Sequence, residues 1–347
     1  MIRLLHKPRV GISALFLSLG LSTMAYAQST SADLPMDGAQ VGQEVEELNL
    51  EQLLSQIQLA SSRVNYQGVF VSHWANQNLV TSGITNIFNN DQLSRRVESL
   101  DDSPIEVLRT GEQQIQLIPD KQIAISTPIR EHDFPGLLLT KATGISNYYF
   151  AHELNAPARV AGIECKKILL EPRDDNRYGF RLCVEPIKRL LLQIETVNPK
   201  QQIISQTTFT HLLLDDQVDP ESVHTAHDYV NWTHLKPSSD EVDLEAEGWQ
   251  FSLPSGFQKV TSFKLVMGTK KEVRQLTLSD GLSSFSLFVQ ELAEQDKEQY
   301  GHSDQVEGSV NIYSRRLGNY WLTALGAMPL PTLEAVAESA KHSSIVD

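Results

Sequence analysis

Apolar residues first recur at helical spacing over one short stretch. Leu50, Leu53, Leu54, Ile57 and Ala60 form a single stripe, and Asn49 with Gln52 three residues on supplies a capping-box start. A stripe of that width needs a surface to cover, so the pattern predicts a helix laid on a sheet. The period then changes to two. Val69–Val71, Ile84–Phe88, Leu93–Leu100, Ile105–Arg109, Gln114–Ile118 and Gln122–Ile125 read as short strands separated by Asn, Asp, Gly and Pro, an antiparallel meander. A second helical patch is predicted over Phe134–Phe150, broken at Gly144. Strands resume at Val160–Leu170, Phe180–Val184, Leu190–Thr196 and Gln202–Leu212. About ten strands in one sheet curl, split or close. The expected architecture is mainly β with α+β character: a large, strongly curved antiparallel sheet covering a few helices.

Residues 215–248 break the pattern. Asp215, Asp216, Asp219, Asp240, Glu241, Asp243, Glu245 and Glu247, with Pro220 and Pro237, predict a linker. Beyond it Asp280-Gly281 joins Val273–Ser279 to Leu282–Gln290, a strong hairpin signal, and Gly318-Asn319 joins Val310–Arg316 to Tyr320–Leu325. Thr332 is placed to cap a closing helix carrying Leu333, Val336, Ala337 and Ala340. The chain therefore divides into residues 48–214, a large sheet domain; 215–248, a linker; and 249–347, a small α+β domain.

The start of the chain changes the picture of where this happens. Arg3, Lys7 and Arg9 precede an apolar run from Val10 to Leu21, and Ala25-Tyr26-Ala27 offers small residues at the two positions a signal peptidase reads. The run is shorter than the roughly 20 residues a membrane span needs. Residues 1–27 are expected to be a signal peptide and 28–47 a disordered lead-in, which places the mature chain in the periplasm as a soluble protein. The full chain carries a net charge of −14, and the leader removes only basic residues, so the mature part is more acidic still. That excludes nucleic acid as a partner, because neutralising phosphates requires basic clusters.

Export also bears on the two cysteines, Cys165 and Cys183. If Val160–Leu170 and Phe180–Val184 pair about Asp174, the cysteines stand directly opposite one another, at a Cα separation of roughly 4.5–5.5 Å that a disulfide accepts. The same register puts Ile168 opposite Phe180 on the other face. A structural disulfide is expected.

Catalytic signatures are missing. The chain has no phosphate-binding Gly loop, no G-x-S-x-G elbow and no H-E-x-x-H helix. His224, His227 and His234 fall in the linker, where solvated histidines are expected, and Asp174-Asp175 sits in a polar turn. No cofactor, metal or enzymatic activity is predicted. The basic pairs Lys270-Lys271 and Arg315-Arg316 stand out in an acidic protein as candidates for docking an acidic partner.

Several segments, in order, resemble the periplasmic sigma-E regulatory family called RseB or MucB. These are Asn65-Tyr66-Gln67-Gly68-Val69-Phe70, Arg159-Val160-Ala161-Gly162, Arg177-Tyr178-Gly179-Phe180-Arg181-Leu182, Ser279-Asp280-Gly281-Leu282-Ser283 leading into Phe285-Ser286-Leu287-Phe288, and the ending Thr323 through Pro329 with Thr332. Val184-Glu185-Pro186 and the acidic linker depart from that pattern. The resemblance implies a large domain like the unclosed barrel of lipoprotein carriers. It also implies binding to the periplasmic part of a membrane-spanning anti-sigma factor, which is shielded from proteolysis until a lipid or lipopolysaccharide-like ligand causes release. On that expectation, strand alternation nominates Phe70, Ile115, Leu117, Ile123, Ile125, Ile168 and Leu182 for the ligand-binding concave face. Two rival readings stand beside it: a lipid or lipoprotein carrier, which needs no second domain, and a hydrolase with an unrecognised site. The oligomeric state, a homo-oligomer included, stays open.

Overall fold

The computed structural model describes residues 49–74, 79–101, 103–130, 132–236, 240–267, 271–292, 304–306 and 310–344. The expected signal peptide and lead-in lie outside the described residues, as does Lys270.

Helix α1 (Leu50–Arg63) forms where the stripe predicts it. Asn49 caps it by accepting from the Gln52 N–H at 3.0 Å, and Leu50, Leu53, Leu54, Ile57 and Ala60 are buried. The chain then meanders through β1 (Tyr66–Trp74), β2 (Val80–Asn89), β3 (Gln92–Ser99), β4 (Glu106–Thr110), β5 (Gln113–Ile118) and β6 (Ile123–Ser126). After a long irregular loop come β7 (Tyr149–Val160), β8 (Ile163–Pro172), β9 (Gly179–Val184), β10 (Leu191–Val197) and β11 (Ile203–Leu214), and later β12 (Thr233–Leu235). These twelve strands make one open sheet in the order β12-β6-β5-β4-β3-β2-β1-β11-β10-β9-β8-β7. All neighbours are antiparallel except β12, which runs parallel to β6. The first strand sits in the middle. The chain builds outward to β6, crosses to the opposite edge at β7, and builds back until β11 meets β1. That meeting is close: a Cβ on Gly68 would lie 2.4 Å from the His211 carbonyl oxygen, beside a bulge in the β1–β11 ladder.

Four expectations need correction. The predicted helix over Phe134–Phe150 is instead the crossing loop, with one 3-10 turn at Ile145–Asn147, and its last residues already belong to β7. Leu137, Leu138, Ala142, Ile145 and Tyr149 are buried, but against α1 and the sheet rather than along one helical face. The segment Val160–Leu170 is two strands, turned at Ala161-Gly162, both at positive φ (49° and 80°). The hairpin of β8 and β9 turns about Asp175 rather than Asp174. Asp174 accepts from the Asn176 N–H and grips Arg177, which sets the turn one residue later. Ile168 therefore faces Leu182, and Cys183 faces Lys167. The disulfide Cys165–Cys183 still forms, on a diagonal with Cα atoms 5.4 Å apart. Finally, the closing helix α2 (Leu330–Glu338) starts before Thr332, which lies in its first turn. Pro331 is tolerated there because that turn's N–H groups have no intrahelical acceptor.

The C-terminal part adds β13 (Asp240–Glu241), β14 (Trp249–Gln250), β15 (Gln258–Met267), β16 (Lys271–Ser279), β17 (Ser284–Glu291), β18 (Asp304–Val306), β19 (Asn311–Leu317) and β20 (Tyr320–Gly326), with β21 (Lys341–His342) after α2. Seven of these form a sheet in the order β13-β15-β16-β17-β20-β19-β18, and β14 pairs with β21. Leu276, Leu278, Phe285, Leu287, Leu322, Leu333 and Val336 are among the residues of its core. The described residues of the acidic stretch between the two sheets pack onto both of them. Val218 and Val223 are buried, β12 joins the large sheet, β13 joins the small one, and Leu244 enters the small core.

Candidate functional site: an apolar face, a strap and a joint

Register decides which nominated residues face the same way, because directly paired residues share a face of the sheet. Ile168 pairs with Leu182, Leu182 with Ile194, Ile194 with Thr207 and Thr207 with Ser72, which is on the Phe70 side of β1. In the other direction Phe70 leads through Ser82, Ser99, Val97, Val107 and Gln116 to Ile125, and Ile123 shares its side. Phe70, Ile123, Ile125, Ile168 and Leu182 thus lie on one face, the face that α1 covers. Ile115 and Leu117 lie on the opposite face, in line with Glu106 and Glu98.

On the α1 face the loop of residues 127–148 is held by the helix. Gln58 Oε1 accepts from the N–H groups of both Leu137 and Leu138, at 2.9 and 2.8 Å, and Glu51 accepts from Gly144 N–H at 2.8 Å. Phe134 of this loop stands 5.2 Å from the Phe70 ring and 5.0 Å from that of Phe209, and touches both apolar clusters of the large sheet.

On the opposite face the stretch from Asp219 to Lys236 straps the sheet. Ser222 reaches Thr85 at 3.4 Å, and His227 Nε2 lies 3.5 Å from Glu106, which also binds Arg96 at 3.2 Å. Burial alone would raise the Glu106 pKa. Hydrogen bonds from Arg96 and Thr225 and the charges of Arg96 and His227 outweigh it, and hold the carboxyl below its ordinary value. Between strap and sheet is an open cavity of about 730 Å³, with Ile115, Leu108, Arg109, Val223 and Tyr229 in its wall.

The third feature is where the two sheets meet. The β16–β17 hairpin tip, Asp280 to Ser283, enters the large domain. Arg177 is fully buried; it pairs with Asp280 at 2.6 Å and Asp174 at 2.9 Å and donates to the Ser255 carbonyl at 2.6 Å. Burial alone would depress the Arg177 pKa, but the bonds to Asp174 and Asp280 carry it above the usual arginine value. Tyr149 donates to Asp280 at 3.0 Å, and its hydroxyl is pushed well up by burial and then by that carboxylate. Asn311 bonds the Tyr178 hydroxyl, and Leu282 packs into the α1 core. Sequence reasoning missed this joint. Arg177-Tyr178 and Asp280-Gly281 both lay in segments carrying the family resemblance, but nothing local links positions so far apart.

The basic candidates are dispersed. Arg315 pairs with Glu338 at 2.7 Å and donates to carbonyls at the end of α2, so it caps that helix. Arg316 is exposed and donates to Gly318 O. Lys271 lies in β16, its side chain outside the described residues. Among the described residues no cluster of His, Cys, Asp and Glu could hold a metal, and no helix is long and apolar enough to cross a membrane.

An open sheet with an apolar covered face, joined through a buried salt bridge to a second sheet, defines a binding protein of two domains. The MucB/RseB N-terminal domain model matches residues 49–227 and the MucB/RseB C-terminal domain model matches residues 243–341, so the chain belongs to the MucB/RseB family. It is 24% identical over 305 residues to the sigma-E factor regulatory protein RseB of Haemophilus influenzae, covering 85% of this chain and 92% of that protein. It is 28% identical over 306 residues to the sigma factor AlgU regulatory protein MucB of Pseudomonas aeruginosa, covering 83% and 89%. The fold is like that of MucB in the Pseudomonas aeruginosa MucA/MucB complex, with a TM-score of 0.66 at 23% identity over 85% of this chain and 99% of that one.

Proposed function

We propose that this chain is a periplasmic negative regulator of an envelope-stress sigma factor. It binds the periplasmic part of a membrane-spanning anti-sigma factor, shields it from proteolysis, and lets go when a lipid or lipopolysaccharide-like ligand occupies the large domain. On this reading it is not an enzyme. The observation that carries the reading is the match of both domains, in order, to a family whose relatives are named as sigma factor regulators. The small domain and the buried joint favour it over a simple lipid carrier, which has no use for a second sheet clamped to the first.

The test is titration calorimetry of the mature chain against the periplasmic domain of the anti-sigma factor from the same organism, alone and with a fatty acid present. Saturable binding that weakens as fatty acid is added is expected. Absence of binding would overturn the reading, and catalytic transfer of lipid between vesicles would replace it with the carrier.

A further inference from the structure

The crossing loop is tied at two points to different parts of the molecule. At one, Phe134 lies against Phe70 and Phe209 on the apolar face. At the other, Leu139 N–H donates to Gly281 O at 2.9 Å, at the hairpin tip that also carries Asp280. The tip lies against the loop there: Gly281 has φ +109°, and a Cβ on it would be in ordinary van der Waals contact with Ile145 and Thr140 of the loop, at 3.4 and 3.5 Å. Between the ties, Gln58 of α1 holds Leu137 and Leu138 through their backbone. Only four residues lie between Phe134 and Leu139, so a displacement at one end has little slack to absorb it.

Of the three rings, Phe134 alone stands on a loop rather than on a strand. Phe209 is 2% exposed, whereas Phe134 and Phe70 are half-buried. The pair therefore combines an apolar contact surface with access from solvent. Whatever apolar group arrives at Phe70 competes with Phe134 for the same surface.

We propose that Phe134 is a built-in plug: it occupies the subsite for an apolar ligand tail on Phe70 and Phe209, and its displacement loosens the joint between the domains through Leu139 and Gly281. This rests on the lipid-sensing reading above and gives it a route. Ligand and hairpin tip are linked through one loop, so each weakens the other's hold by the same factor.

The experiment uses the intact mature chain and cis-parinaric acid, a naturally fluorescent fatty acid. Phe134→Ala is expected to bind the probe about five-fold tighter or more, the lower end of ordinary allosteric coupling. Amides of 279–283 should exchange correspondingly faster, both in that variant and in the wild type saturated with probe. Phe134→Leu, milder for folding, should move both readouts the same way. Ile84→Ala, which opens a void in the same cluster but leaves the Phe134 ring in place, should leave exchange at 279–283 unchanged. If the wild type binds probe but Phe134→Ala binds it no tighter, or if probe leaves 279–283 unaltered, the plug is wrong while lipid sensing stands. If neither protein binds probe, lipid sensing falls and the plug with it.

Discussion

Arg177 is a charge with no contact with water, and its surroundings explain how that is tolerated. Every face of the guanidinium is used: Asp280, Asp174 and Ser255 O take its N–H groups, and Tyr148, Tyr149 and Phe257 rings lie within 4.9–5.7 Å. Asp280 is equally committed, because its other oxygen accepts from the N–H groups of Leu282 and Ser283 and so shapes the hairpin tip. Breaking such a pair from one side strands a buried charge. Arg177→Met should cost about 3–5 kcal/mol in urea unfolding. Asp280→Asn, which keeps the hairpin's acceptor, should cost less. The double variant should be more stable than the sum of the single losses predicts, since it strands neither of the two fully buried charges and leaves only the partly exposed Asp174 without its partner. Strict additivity would show that the two side chains do not act as a pair. The joint illustrates what one sequence withholds. Asp174 was legible as a turn residue and Asp280 as part of a hairpin, and both are those things. Their shared partner comes from tertiary placement, which leaves no periodic mark.

Among the elements, those built on regular alternation or a full helical stripe were legible, and those built on borrowed contacts were not. The stripe of α1 and the Asp280-Gly281 hairpin follow from local pattern. The crossing loop misled because Leu138, Ala142 and Ile145 imitate helical spacing, while Pro135, Gly136 and Gly144 leave the backbone free to follow the sheet. The strap misled because its strand, Thr233–Leu235, is exposed on all three residues and shows no alternation. What fastens the strap is chemistry at Glu106, a half of the site visible only in three dimensions. Its folded pKa lies below the ordinary 4.5. It therefore contributes stability that is complete above that value and is lost as pH falls through the folded pKa. Glu106→Gln mimics the protonated state. The melting temperature of the wild type should exceed that of Glu106→Gln near neutral pH, and the gap should close as pH is lowered from 4.5. A gap that stays constant down to the acid limit would mean the carboxylate's charge is not what holds the strap.

At the scale of the molecule, two kinds of connection run between the sheets, and they are separable by experiment. One is covalent, the strap, whose segment around Val230 is exposed, at 77% for that residue. The other is the joint: Arg177 with Asp280, Tyr178 with Asn311 at 3.1 Å, Leu139 with Gly281, and Gly256 against the ring of Tyr148, where a Cβ would come within 2.5 Å. A sequence rich in Asp, Glu and Pro over 215–248 suggests domains tethered loosely, for which relative motion is the default. The buried contacts argue for the opposite: the tether is dispensable for holding the domains together, and the joint is not. A specific protease site inserted between Val230 and Asn231 tests this. After complete cleavage the two fragments of the wild type should elute together in gel filtration. With Asp280→Asn added, the same cut should release them, or shift elution toward separate species as the protein is diluted. Separation of the cleaved wild type would place the domains' attachment in the strap. Co-elution in both would mean that the pairing of β12, which stays on the C-terminal fragment, with β6 and apolar contacts such as Leu282 in the α1 core suffice without the ion pair.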